Sequence, residues 1–375
     1  MPRVASSLPG PMPLSFNRRT LLRGAAGAAL LPACGGGSAG WLASATGDSP
    51  DSYGITALSA EGDAPLFIST GFRGHGLAAS PRRPGRVFLF ERRPGVRIVE
   101  IDLREKREVR RGEVQVGRAL AGHGCLSEDG SRLYTTEIDT ESGAGTIGVR
   151  QASTLEWLDE LETGGLGPHE LITLPDGRLA VANGGLKTDA ARRVVNLGTM
   201  DPSLALLDLR SRQVELHRLP HSKASIRHLD VDGEGSVVVG LQVQREAVGH
   251  DGPVPVAARW SRTEGFVAWP LPPEGGALED YVGSVSVSAG VAGLTSPRGD
   301  VAMFLNARTG ALLDLHAFAD ASGIAARTER ESFLLTSSFG QVRTFDTRTL
   351  DERRLERREL PGTRWDNHAR WVPGV

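Results

Sequence analysis

The chain has 375 residues, of which 39% are hydrophobic and 5% aromatic, with 47 glycines and a formal net charge of −2. That charge excludes a generally basic nucleic-acid binder, and no run of roughly 18 apolar residues offers a spanning helix. The length admits two average domains or one large all-β domain.

Residues 1–33 read as an export signal rather than as folded structure. Arg18 and Arg19 are adjacent and precede a short apolar stretch rich in alanine and glycine, as in a twin-arginine signal. Leu31-Pro32-Ala33-Cys34 looks like the cleavage box of a bacterial lipoprotein, so a lipid is expected on Cys34. A plain signal cleaved near Ala33 is the alternative. Either reading puts the protein in the periplasm, with membrane contact only through an N-terminal lipid. Residues 34–52 are rich in glycine, serine and alanine, as a flexible tether is. Within them Gly36-Gly37-Ser38-Ala39-Gly40 matches G-x-S-x-G. It lacks the strand before and the helix after that a nucleophile elbow requires.

From Tyr53 onward short apolar runs alternate with turn signals. Val87-Phe88-Leu89-Phe90, Leu133-Tyr134-Thr135-Thr136, Leu179-Ala180-Val181-Ala182 and Val237-Val238-Val239 are typical runs, and Arg83-Pro84-Gly85 and Pro175-Asp176-Gly177 typical turns. No helical periodicity interrupts them. The domain spanning residues 53–373 is therefore all-β.

One motif recurs along it. Gly74-His75-Gly76 returns as Gly122-His123-Gly124, Gly167-Pro168-His169, Arg227-His228 and Asn367-His368, each opening an apolar run. Two further units, at Tyr281-Val282-Gly283 and Ala321-Ser322-Gly323, keep the frame without histidine. Starts spaced roughly 40–60 residues apart suit propeller blades. Six full units begin near residues 74, 122, 167, 226, 281 and 322. Trp365–Val372 and the strands within Tyr53–Thr70 remain, and joining them makes a seventh blade that removes the open edge. Blade 3 carries a long loop between Asn183 and Pro202, where binding residues often lie.

Gly122-His123-Gly124, Gly167-Pro168-His169-Glu170-Leu171, Val181-Ala182-Asn183-Gly184-Gly185 and Trp365-Asp366-Asn367-His368 resemble the DUF1513 family of exported bacterial proteins. So do Ser225-Ile226-Arg227-His228-Leu229, Thr295-Ser296-Pro297-Arg298-Gly299, and Asn196 with Thr199-Met200-Asp201-Pro202. The resemblance covers about residues 65 to 372. It implies a seven-bladed propeller of the WD40/YVTN kind, without an assigned activity. It also implies an association with periplasmic iron acquisition, with imelysin-like and di-haem peroxidase-like proteins as partners.

The blade starts carry the candidate site. The inner strand of each blade lines the channel, so His75, His123, His169, His228 and His368 should ring one channel mouth. Neutral imidazole binds zinc, copper and iron, and His123, His169 and His228, on successive blades, are the expected metal ligands. The competing reading has all five histidines bonding inter-blade carbonyls and keeping the channel polar. Arg118, Arg227, Arg298, Asn183 and Asn196 stand at unit starts or in the long loop; an arginine there either grips a carboxylate or phosphate or braces adjacent blades. Glu137, Asp139 and Glu141 alternate as on one strand edge, in an exposed acidic hairpin or a cation site with His123. Gly143-Ala144-Gly145-Thr146-Ile147-Gly148 spells G-x-G-x-x-G, but a strand follows it rather than a helix. Cys125 is expected to be a small buried residue without a disulfide partner. Two functions follow: a ligand-, metal- or protein-binding module without catalysis, or an enzyme at the channel mouth, metal-dependent and lactonase-like or redox.

Overall fold

A computed structural model describes residues 40–374, apart from 61, 63, 81, 190–192 and 271. Arg18, Arg19 and Cys34 lie outside the described residues. Seven four-stranded antiparallel sheets follow one another. Their inner strands are Gly74–Ala79 in blade 1, Arg118–Leu126 in blade 2 and Pro168–Thr173 in blade 3. Ala224–Val231, Ser284–Ser288 and Ala321–Arg327 serve blades 4, 5 and 6, and Trp365–Pro373 serves blade 7. Each inner strand touches the next, and that of blade 7 touches that of blade 1, closing a seven-bladed β-propeller.

Burial explains the strand pattern. Each sheet is covered on both faces by neighbouring blades, so its middle strands read as continuous apolar runs. Val87, Phe88, Leu89 and Phe90 have no accessible surface; each such side chain contributes about 1.5–3 kcal/mol of transfer free energy. The outermost strand of the same blade, Arg107–Glu113, is charged and partly exposed.

Blade 7 joins the chain ends, in the order Trp365–Pro373, Gly40–Thr46, Gly54–Ser59, Leu66–Ser69. Its second strand corrects an expectation: residues 40–46, assigned above to the tether, are a buried strand. The small residues that suggested a linker are there for packing. A Cβ on Gly40 would come within 2.5 Å of the Trp371 ring, and Ala43 and Ala45 sit in the apolar seam against blade 1.

Candidate metal site in the channel

Inner strands supply the site because almost all of them are bulged. In blade 1 the strand advances three residues, Gly74 to Leu77, while its partner advances two, Glu91 to Leu89. The equivalent shifts fall between Leu120 and Gly124, between Pro168 and Leu171, and between Ile226 and His228. In blade 7, the shift lies between Trp365 and Ala369. A bulge re-aims side chains away from the sheet's alternation. Every one of these five bulges contains, or ends on, a histidine. Blade 6 is bulged too, but carries Ser322 and Gly323 there, and blade 5 pairs without a shift.

The five imidazoles converge. Ring centroids lie 4.8 Å apart for His75–His123, 4.6 Å for His123–His169 and 5.0 Å for His169–His228. The circuit closes with 4.7 Å for His228–His368 and 4.6 Å for His75–His368. All five residues are buried, none more than 6% exposed. They pack as a plug in the channel rather than as an open ring at its mouth.

The glycines beside the histidines make this packing possible. A Cβ on Gly76 would stand 2.8 Å from Nδ1 of His123, and one on Gly122 would stand 2.9 Å from Cδ2 of His75. Each Gly-His-Gly thus yields space to the imidazole of the adjacent blade. Gly122 also has φ of +102°, a backbone state that side chains disfavour.

Two carboxylates orient two of the rings. Asp366 Oδ1 lies 2.6 Å from His75 Nδ1, and Glu170 Oε2 lies 3.2 Å from His228 Nδ1. Glu170 Oε2 also accepts from the Leu229 amide at 3.2 Å, and Oε1 lies 3.9 Å from His123 Nδ1. Burial pushes the Glu170 carboxyl up. Burial pushes Asp366 up as well, but His75, by charge and hydrogen bond, with His368 and Arg92, holds it well below the ordinary carboxylate range. Neither carboxylate was singled out from sequence. The signal was adjacency: Glu170 follows His169, and Asp366 precedes His368 by two residues.

Three ring nitrogens are left over. His123 Nε2, His169 Nδ1 and His368 Nε2 are buried without a hydrogen-bond partner among the described residues. None of the five imidazoles bonds a backbone carbonyl among those residues. Hydroxyls do that work instead. Thr136 Oγ1 donates to the His169 carbonyl at 2.7 Å, Ser44 Oγ donates to that of His368, and Thr295 Oγ1 donates to that of Ser322 at 2.6 Å. Burial first, and then mostly the charges of neighbouring histidines, push His123, His169, His228 and His368 well below the usual imidazole range. They are neutral near pH 7, which is the form that binds metal.

Two triads have donor atoms within 4.8 Å of one another: His75, His123 and His169; and His123, His228 and His368. A tetrahedral ion with bonds of about 2.0–2.1 Å needs its donors roughly 3.4 Å apart, so modest side-chain rotation suffices. The expected trio of His123, His169 and His228 is split between the triads, with His123 common to both.

Blades 5 and 6, lacking histidine, leave room. A cavity of about 270 Å³ lies against their small residues Ser284, Ser286, Ala325 and Ala326, and reaches His123, His368, Glu170 and Asp230. Asp230 Oδ2 accepts from the Val287 amide at 2.7 Å, tying blade 4 to blade 5.

The other sequence candidates separate from the cluster. Asn183 is buried and its Nδ2 donates to the Thr163 carbonyl at 3.2 Å. Asn196 holds the long loop, accepting from the Lys187 amide at 2.7 Å and donating to the Gly185 carbonyl at 2.9 Å. Arg298 stacks on Tyr281, 4.4 Å from the ring centroid. Arg118 pairs with Asp139 and Glu160. Glu137 is no part of an exposed hairpin: it is fully buried and paired with Arg150 at 2.7 Å. The glycines of 143–148 fall at a turn and in the strand Ala144–Gln151. Cys125 is partly covered, 3.5 Å from Thr173 Oγ1, and burial pushes its thiol up to about 12.

Fold and site together define a seven-bladed β-propeller whose channel is filled by histidines from five consecutive blades. The chain belongs to the DUF1513 family, described as a protein of unknown function, whose model matches residues 68–372. Among solved structures it is similar to Kuenenia stuttgartiensis hydrazine synthase, with a TM-score of 0.59 at 13% identity over 80% of this chain and 90% of that one. At that identity the likeness is one of fold. Among curated proteins none matches the chain.

Proposed function

We propose that this protein is a binding module that holds a first-row transition-metal ion in the channel, on nitrogen ligands drawn from the five histidines. The observation that carries the reading is the set of three buried, unpartnered ring nitrogens on His123, His169 and His368. A buried polar atom without a partner costs about 1–3 kcal/mol. An ion in either triad takes up two of these lone pairs, those of His123 and His169 in one triad or those of His123 and His368 in the other. Asp366 and Glu170 hold the opposite nitrogens of His75 and His228, as carboxylates behind metal-bound histidines do. Imidazole donors suit copper, zinc and iron, and copper(II) is favoured by the general order of affinities. X-ray absorption of the metal-loaded protein tests this: the reading requires a first shell of imidazole nitrogens, and a shell of oxygen alone opposes it.

Location belongs to the same proposal and rests on Arg18, Arg19 and Leu31-Pro32-Ala33-Cys34. Replacing both arginines with lysine is expected to block export, and Cys34→Ala to release soluble protein into the periplasm. Export of the lysine variant at the normal level would oppose it. A place beside iron acquisition, with imelysin-like or di-haem peroxidase-like partners, rests on the family resemblance alone.

A further inference from the structure

Four arginines are buried among the described residues: Arg150, Arg227, Arg259 and Arg327. Three of them have a carboxylate. Arg150 is 2.7 Å from Glu137, Arg259 is 2.6 Å from Glu264, and Arg327 is 3.0 Å from Glu356. Arg227 has none. It is 4% exposed, forms no ion pair or hydrogen bond with any described residue, and its Nε is buried without a partner.

Its position is set by the same device that sets the histidines. Ile226 pairs with Leu241 and His228 with Gly240, so Arg227 is the extra residue of the blade 4 bulge. The guanidinium lies over Gly184 of blade 3, where an added Cβ would come within 3.3 Å of Cζ and of Nε. A second positive charge, Arg93 on the turn between the second and third strands of blade 1, acts on the same space. Burial foremost, with Arg93 adding to it, disfavours the charge on Arg227, yet a guanidinium stays cationic at neutral pH. The two arginines also oppose protonation of His169 and His228.

A buried cation held without a counter-charge is a large cost in a folded protein. Proteins meet that cost with a carboxylate, and this one does so at its three other buried arginines. We infer that Arg227 is the binding residue for a small oxyanion, a carboxylate or a phosphate, received beside His169 and His228. The planar fork of guanidinium takes either anion in bidentate fashion. The site goes beyond the metal reading and does not depend on it, since the counter-charge is missing whether or not an ion occupies the histidines.

The test uses metal-free protein, so that failure of the metal site and failure of the anion site are distinguishable. Melting is followed while sodium phosphate or sodium acetate is titrated at ionic strength matched with sodium chloride. One or both anions should raise the melting temperature by about 2–5 °C in a concentration-dependent way, and the effective one identifies the source. Arg227→Gln should abolish that rise and, having lost a lone buried charge, should melt no lower than the parent in chloride buffer. Arg227→Lys keeps the charge without the fork and should retain a weakened rise, which covers the case of a glutamine variant that fails to fold. An equal rise in chloride, or a rise that survives Arg227→Gln, would overturn the inference, as would no rise with either anion.

Discussion

Asp366, on the strand that closes the ring, lies 2.6 Å from Nδ1 of His75, on the inner strand of the first full blade. Closure of the propeller and orientation of the site are therefore one interaction. Nδ1 of His75 is engaged by the carboxylate, which leaves Nε2 as the ligand atom. Asp366 accepts a second hydrogen bond from the Asn367 amide at 2.8 Å, so the carboxylate is itself fixed.

Asp366→Asn is expected to fold and to keep the ring closed, because asparagine fills the same volume. It should weaken metal binding by about 10–100-fold, the usual effect of removing a carboxylate behind a histidine ligand. Equilibrium dialysis against a competing chelator measures this. Unchanged affinity would detach Asp366 from the site.

Gly76→Ala should act on a neighbouring blade. Its Cβ would stand 2.7 Å from the Gly122 carbonyl oxygen and 2.8 Å from His123 Nδ1. The backbone cannot yield freely, so overpacking should cost about 1–3 kcal/mol and turn the His123 ring, the one shared by both triads. Loss of metal affinity with a lowered melting temperature is the expected pair of results. An alanine variant identical to the parent in both would remove the stated reason for the Gly-His-Gly motif.

Acid should destabilise the metal-free protein. His123, His169, His228 and His368 have folded-state values well below that of the unfolded chain, which is near 6.5. Their contribution is complete above that value and is lost as pH falls below it, because the unfolded chain takes up the protons first. Each such proton costs about 1.4 kcal/mol per pH unit. Glu170 and Asp230 are raised by burial and act in the opposite sense, stabilising at low pH and losing that contribution as pH rises through their folded values. Asp366 is depressed, so it loses its contribution only in stronger acid. Four groups against two give a melting temperature that falls from pH 7 to pH 5. A flat or rising profile would contradict the neutral state of the cluster.

The architecture was legible because the repeat is written in the sequence. Gly-His-Gly and its variants mark blade starts, and residues 74, 122, 167, 226 and 322 all lie in or next to inner strands. Blade 5 was harder to place, since its start at Tyr281 precedes the inner strand Ser284–Ser288 by a few residues. The strand Gly40–Thr46 was not legible, because residues small enough to pack beside Trp371 have the composition of a linker. Equivalence of the five histidines could be read, but their convergence could not. Convergence depends on bulges, and a bulge is a mismatch between two strands that neither strand shows alone. Glu137 was misread for a similar reason. Its partner Arg150 stands on the adjacent strand, and only pairing of Thr136 with Ile147 and of Thr135 with Gly148 brings the two together.

The metal content of the channel decides between a metal site and a structural plug. Protein stripped of metal and then dialysed against copper(II), zinc or iron(II) should bind one ion per chain, and that ion should raise its melting temperature. His123→Gln combined with His169→Gln should remove both the bound ion and the shift while leaving the β fold intact, since His123 belongs to both triads and glutamine keeps a polar side chain in the channel. If none of the three metals binds or shifts the melt, and the double variant loses stability in metal-free buffer, the histidines are a structural plug and the channel is no metal site.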